Sequence, residues 1–286
     1  MQQTIISDEK YFLDILSKIK EDWLQKLHIL ADFDRTLTKA FSGWKLRSSL
    51  ISVLRSEWYL SEEYSKEAYR LYDEYHPIEV DPNISLEEKK KYMSIWWNKH
   101  LELLIDSKLH KNDIENIIKS WIIEFRIWVK SFLDVLNQNN IPLIIISANW
   151  LGTDSIKMFF EREWFLTPNI HIISNEFIWN ENWNASMYDK RVIHVFNKDE
   201  TVLSEFPEIH NLVENRKNVI LLWDSLWDPH MIEWFQYDNL LKIGFLNKGY
   251  EVHGENEEEL LEEYKKRYDV VLTWDNDGEF LNDLLK

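Results

Sequence analysis

The chain has 286 residues, 45% of them hydrophobic, enough for one large domain or a core with an inserted subdomain. Its 50 acidic and 33 basic side chains give a formal net charge of -17, which argues against nucleic acid or an anionic membrane as the main partner. A small anionic substrate stays open, because a bound cation can reverse the local field. There is no cysteine, so disulfides, thiolate metal sites and cysteine nucleophiles are excluded.

The first ten residues carry no basic, apolar signal pattern, and the longest apolar run, near Ile141–Ile146, is too short for a bilayer. A cytoplasmic protein is expected. In chain order, the first strand is expected over residues 27–33. The interval 44–124 is charged, has helical spacing and contains no convincing strand; Ser85 and Glu88 read as the N-cap and third position of a helix. Beyond it, short runs rich in Ile, Val and Leu predict buried strands at residues 142–147, 170–174, 219–223, 241–245 and 269–272. Helical periodicity falls between most of them, at residues 129–137, 154–163 and 257–268. The alternation predicts an α/β fold, a doubly wound parallel sheet with an inserted helical cap. Residues 1–43 and 125–286 would form the core domain and 44–124 the cap.

Four motifs carry chemistry. Asp32-Phe33-Asp34-Arg35-Thr36-Leu37-Thr38 follows the first strand, where alternate carboxylates can flank one phosphorus, one attacking and the other protonating the leaving oxygen. Ser147 ends the second strand and can hold a phosphate oxygen. Lys198, in Ile193-His194-Val195-Phe196-Asn197-Lys198, can neutralise a phosphoryl group in transfer. Asp224 and Asp228, in Trp223-Asp224-Ser225-Leu226-Trp227-Asp228, have the spacing and strand-end position that suit a divalent cation. Singly, each has a plain alternative: an acidic loop, a turn-capping serine, a solvated lysine. Together and in this order, each beside a strand terminus, they mark the end of an open α/β sheet where ligands collect.

This ordered set resembles the haloacid-dehalogenase-like phosphatase superfamily. Ile78-Glu79-Val80-Asp81-Pro82, Glu87-Glu88-Lys89, Tyr92-Met93, His194-Val195-Phe196-Asn197-Lys198 and Leu241-Lys242-Ile243-Gly244 resemble the cytosolic 5′-nucleotidase III (pyrimidine 5′-nucleotidase) family within it. The resemblance runs from about Leu27 to the end of the chain. It implies a Mg²⁺-dependent 5′-nucleotidase that hydrolyses CMP and UMP through an aspartyl-phosphate on Asp32. Asp34 would be the general acid, then the base that activates water. Ser147, Ala148 and Lys198 would hold the phosphoryl group. Mg²⁺ would sit on Asp32, the carbonyl of Asp34 and Asp224, supported by Asp228. Glu79 would accept a hydrogen bond from the base, and His100 falls at a small polar substrate contact. The alternatives are a related phosphatase, for instance for a methylated purine monophosphate, or a catalytically inactive nucleotide-binding protein if Trp223 and Trp227 are genuine. No polymer or membrane partner is expected.

The composition is abnormal at one point: 15 tryptophans against 6 glycines. Average glycine usage of about 7% would give roughly 20 in this length. The family pattern at the last motif is Gly-Asp-Ser-x-Gly-Asp, and Trp223 and Trp227 occupy both glycine positions. Trp44, Trp128, Trp150, Trp164 and Trp183 also fall where glycine is expected. An indole buries about 150–250 Å² and cannot replace a missing side chain without displacing its neighbours. Replacement that converges on one residue type is expected if UGA codons, read as glycine in the source cell, are written as tryptophan.

Overall fold

The computed structural model describes residues 3–22, 24–56, 59–189, 191–198, 206–226, 237–247, 257–276 and 278–285. Its strands are β1 (Thr4–Ile6), β2 (Leu27–Ala31), β3 (Phe41–Ser42), β4 (Lys45–Leu46), β5 (Leu143–Ile146), β6 (Ile170–Ile173), β7 (Phe177–Trp179), β8 (Ala185–Tyr188), β9 (Asn218–Trp223), β10 (Asn239–Leu246) and β11 (Val270–Thr273). Seven of them form one sheet in the order β1-β11-β10-β9-β2-β5-β6. All its pairings are parallel except β1 on β11. Every residue of β2, β5, β9 and β11 is buried, the signature of strands covered on both faces. The six expected strands are all present, and β1 adds an antiparallel edge. The pairs β3–β4 and β7–β8 are small antiparallel hairpins outside the sheet.

The helices begin with α1 (Glu9–Glu21), capped by the Asp8 side chain and turned so that Phe12, Ile15 and Ile19 are buried. Between β4 and β5 lie α2 (Leu50–Ser56), α3 (Glu62–Val80), α4 (Leu86–Asp106) and α5 (Lys111–Lys119), with no further named strand among the described residues. Ser85 caps α4 as its sequence foretells. The Glu88 N–H donates to Ser85 Oγ (3.3 Å), and the Ser85 hydroxyl donates back to the Glu88 carboxylate (2.8 Å). After β4 the chain thus makes a helical excursion before returning to the sheet, and α6 (Val129–Gln138) and α7 (Gly152–Arg162) flank β5 in sequence.

The excursion is not detached from the sheet. Leu71 and Tyr75 of α3 and Met93 and Trp96 of α4 share one apolar cluster with Ile146 of β5 and Trp223 of β9. That packing places α3 and α4 against the strand ends. Among the described residues no helix is long and apolar enough to cross a membrane.

Candidate active site

Strand register brings the motifs together. Ala31 of β2 pairs with Leu222 of β9, and the Asp32 N–H donates to the Leu222 carbonyl (3.1 Å). Asp32 and Asp224 therefore stand at the ends of adjacent strands. On the other side of β2, Ser147 follows β5; its N–H donates to the Ile173 carbonyl (3.0 Å), and its own carbonyl accepts the Ser174 hydroxyl (2.8 Å). The Asp32 and Ser147 motifs are thus fixed by backbone hydrogen bonds at the carboxyl ends of parallel strands, and Asp224 directly follows β9.

Lys198 arrives not from a strand terminus, as expected, but from a turn that the protein anchors on Asn175. The Asn175 side chain accepts the Ile193 N–H (2.8 Å) and donates to the Ile193 carbonyl (2.9 Å). Within the turn, the Asn197 side chain accepts the His194 N–H (2.7 Å) and donates to the Val192 carbonyl (2.8 Å). The result is a buried ion pair, Lys198 Nζ to Asp32 Oδ2, at 2.9 Å. The other Asp32 oxygen accepts the Phe33 N–H (2.7 Å).

Asp34 is half-buried and accepts a hydrogen bond from Asn149 Nδ2 (3.0 Å). Burial, and then the neighbouring Asp32 charge, push its pKa up from 3.8 to about 6, against the opposing pull of Asn149 and Lys198. A carboxyl group in that range can give a proton near neutrality and take one back. Asn149 is a site residue that no motif named. Its only sequence signal is its place two residues after Ser147, in the turn where its N–H donates to Ser147 Oγ (3.2 Å).

A buried arginine lies behind these groups. Arg126 donates to the carbonyls of Arg35 (2.6 Å) and Trp274 (2.8 Å) and to Asn247 Oδ1 (2.6 Å), and it pairs with Asp275 (3.1 Å). Asn247 Nδ2 in turn donates to the Arg35 carbonyl (2.8 Å) and to Asp224 Oδ2 (3.3 Å).

One cavity of about 870 Å³ is lined by Asp32, Asp34, Ser147, Ala148, Lys198 and Asp224, and also by Glu79 of α3 and His100 of α4. Every sequence-predicted site residue meets there except Asp228, which with Trp227 lies outside the described residues. Glu79 is half-buried beside His76, with Oε2 and Nδ1 3.2 Å apart. His100 is buried, its Nε2 3.1 Å from the Tyr64 hydroxyl, and burial pushes its pKa down to about 3, so the ring is neutral. Trp223 is accommodated in the apolar cluster, wholly buried, with its ring 4.9 Å from Lys198 Nζ. Trp150 also lines the cavity, stacked on Trp97 at 3.9 Å.

Among the described residues no three His, Asp or Glu side chains gather into a metal cage. Mg²⁺ does not need one. It is commonly held by one or two carboxylates, with waters and substrate phosphate completing its shell. Asp32 and Asp224 at adjacent strand ends fit that donor set.

The model of the pyrimidine 5′-nucleotidase (UMPH-1) family matches residues 35–286. The chain belongs to this family. It is 34% identical over 275 residues to the 7-methylguanosine phosphate-specific 5′-nucleotidases of Mus musculus and Homo sapiens, covering 96% of this chain and 88% of each relative. It also resembles a solved structure, cytosolic 5′-nucleotidase IIIB bound to cytidine, with a TM-score of 0.86 and 27% identity over 99% of this chain and 93% of that one. A phosphoserine phosphatase solved as a phospho-aspartyl intermediate analogue shares the fold, with a TM-score of 0.51 and 17% identity over 91% of this chain and 98% of that one. The family member described here is thus a 5′-nucleotidase of the haloacid-dehalogenase type, as its ordered motifs implied.

Proposed function

We propose that this enzyme hydrolyses the 5′-monophosphate of 7-methylguanosine, with CMP as a slower substrate. The observation that carries the reading is Trp96 and Glu79 on the same cavity as Asp32. Trp96 lies near-parallel to Tyr75 (6.0 Å between ring centroids, 16°) and edge-on to Tyr72 (6.1 Å). Methylation at N7 makes a guanine ring cationic, and a flat cation is attracted to an indole face. The guanine edge also carries N–H donors that a carboxylate can accept, and Glu79 supplies the carboxylate. Relatives at 34% identity that are named for 7-methylguanosine phosphate support the same base. The cytidine-bound structure favours the second reading, in which Glu79 accepts from the exocyclic amine of cytosine.

In the proposed reaction an Asp32 carboxylate oxygen attacks phosphorus while the bond to O5′ breaks. The Asp34 carboxyl gives its proton to O5′, and the nucleoside leaves. Asp34, now a carboxylate, takes a proton from the water that attacks the phosphorus of the aspartyl-phosphate. Phosphate departs and both aspartates are restored. Lys198, 2.9 Å from Asp32, neutralises the transferring group, and Ser147 with the Ala148 backbone binds its oxygens. Asp32, the carbonyl of Asp34 and Asp224 would hold Mg²⁺, with Asp228 in support, and the bound ion would offset charge on the phosphoryl oxygens. Residues 44–124 would act as the cap that selects the base, and the enzyme would work in the cytoplasm.

The test is phosphate release from 7-methylguanosine monophosphate, CMP, UMP and AMP, with and without Mg²⁺. The expected order of kcat/KM is the methylated nucleotide, then CMP, then UMP and AMP, with no turnover when Mg²⁺ is chelated. CMP ahead of the methylated nucleotide would hand the base assignment to the second reading. AMP ahead of both would overturn it.

A further inference from the structure

We propose that Arg126 is a positioning residue for the metal-binding end of the site and acts through Asn247. This role rests on the Mg²⁺ reading above. A wholly buried guanidinium is costly unless its donors are used; both terminal nitrogens of this one are committed to acceptors from three separate stretches of chain, Arg35, Asn247 and Trp274-Asp275, while Nε is buried without a hydrogen-bond partner among the described residues. Because Arg126 takes Asn247 Oδ1, the amide has one orientation, and its Nδ2 must face the Arg35 carbonyl and Asp224. The Arg35 carbonyl, one residue past Asp34, receives two donors. One buried cation therefore fixes both sides of the expected Mg²⁺ site, the turn after β2 and the carboxylate after β9. Calorimetric titration of the full enzyme with Mg²⁺ tests this in Asn247→Ala and Arg126→Lys. Asn247→Ala leaves Arg126 its contacts to Arg35 and Asp275 and so keeps the fold testable. The expected outcome is Mg²⁺ affinity weakened about tenfold or more, with kcat recovered at high Mg²⁺. Affinity within twofold of the unsubstituted enzyme in both folded variants would overturn the role. No Mg²⁺ binding by the unsubstituted enzyme would instead remove the metal reading on which it stands.

The carbonyl that Arg126 grips belongs to Trp274, whose backbone is left-handed at φ 59°. Among the described residues seven non-glycine positions have positive φ, and four are tryptophan: Trp121, Trp164, Trp183 and Trp274, at 59° to 65°. For a bulky side chain this region is an outlier. Three of the four sit where glycine is the usual residue. Trp164 ends α7 just past its C-cap, Glu163. Its N–H donates to the Glu161 carbonyl (3.0 Å), and the Phe165 N–H donates to the Phe160 carbonyl (2.9 Å). That pair of bonds is the Schellman motif, whose left-handed residue is normally glycine. Trp121 holds the equivalent place after α5 and its C-cap Ser120. Trp183 closes the β7–β8 turn, its N–H donating to the Asn180 carbonyl (2.9 Å), at the left-handed position of a bulged hairpin. Packing does not account for these indoles, since Trp164 is 92% exposed and Trp121 and Trp183 are more than half exposed.

We infer that the protein made in its source cell carries glycine at 121, 164, 183 and 274, with UGA codons read there as glycine. Trp44, Trp128, Trp150 and Trp223 are not left-handed, so the backbone makes no such demand of them. Peptide mass spectrometry of the protein purified from that cell reads the four residues directly. Glycine at all four is expected. Tryptophan at any of them overturns the inference for that position, and at Trp164 it removes the strongest case. As a second measurement on the recombinant chain, the four Trp→Gly changes together are expected to raise Tm by about 5–10 °C. An unchanged or lower Tm would contradict the conformational argument.

Discussion

The two ends of the cavity are built by different physics. At the end proposed to take the phosphate, Asp32, Ser147 and Asp224 follow parallel strands, and backbone bonds to neighbouring strands hold Asp32 and Ser147. At the end proposed to take the base, Glu79, Trp96 and His100 sit on α3 and α4, and the packing of those helices on each other and on the sheet brings them to one cavity. Once the strands are paired, the backbone ladder alone fixes where the residue after each strand stands. A helix face places a residue only once its partner helix is in register. On the proposed reading, the chemistry would rest on the backbone ladder of the sheet and the selectivity on side-chain packing between helices.

That division predicts what each change breaks. Asp32→Asn removes the proposed nucleophile and should lower kcat by about 10⁴-fold or more. Nucleoside affinity, measured by equilibrium binding, should stay within a few-fold. Glu79→Gln, at the base end, should do the reverse. kcat/KM for the methylated nucleotide should fall about tenfold with most of the loss in KM, while AMP turnover barely moves; an equal loss on both substrates would dissolve the distinction between the two ends.

A smaller effect sharpens the phosphate end itself. Asn149 stabilises the ionised form of Asp34, whose pKa is raised to about 6 mainly by burial. In Asn149→Ala that support is lost and the pKa rises further. The alkaline limb of the pH profile of kcat/KM, where Asp34 must still hold its proton, should then move to higher pH. A shift to lower pH would contradict the assignment of Asp34 as the acid.

The smallest prediction concerns the sheet beneath the site. His28 of β2 is buried, its Nδ1 2.7 Å from the Arg216 carbonyl, and burial pushes its pKa from 6.5 down to about 4. An imidazole with a depressed folded pKa binds its proton more readily when unfolded, so its contribution is intact above pH 6.5 and is lost as pH falls toward 4. Thermal melts across that window should show Tm falling, and falling less in His28→Gln. The same slope in both would assign the acid sensitivity to other groups.

Much of this arrangement was legible in the chain because burial on both faces writes strands as unbroken aliphatic runs. The run at residues 142–147 became β5, and that at 219–223 became β9. β1 was not legible. It has three residues, and its stability comes from pairing with β11 at the far end of the chain. The polar supports were equally silent. Asn175, Asn247 and Arg126 look like ordinary surface residues until folding sets them against specific carbonyls. Glu79 and His100 were found through the resemblance to a family, since helical spacing alone does not aim them at Asp32. The left-handed tryptophans at 164 and 183 stand where the sequence pattern expects glycine, whereas at Trp121 and Trp274 only the backbone angle makes that demand.

The central claim is that Asp32 carries the phosphoryl group. The direct measurement is a rapid acid quench of the enzyme turning over 7-methylguanosine monophosphate with Mg²⁺, followed by peptide mass mapping. Phosphate on Asp32, absent from Asp32→Asn, is the predicted result. Phosphate on another residue, or an unmodified Asp32 during steady turnover of every substrate tried, would contradict it.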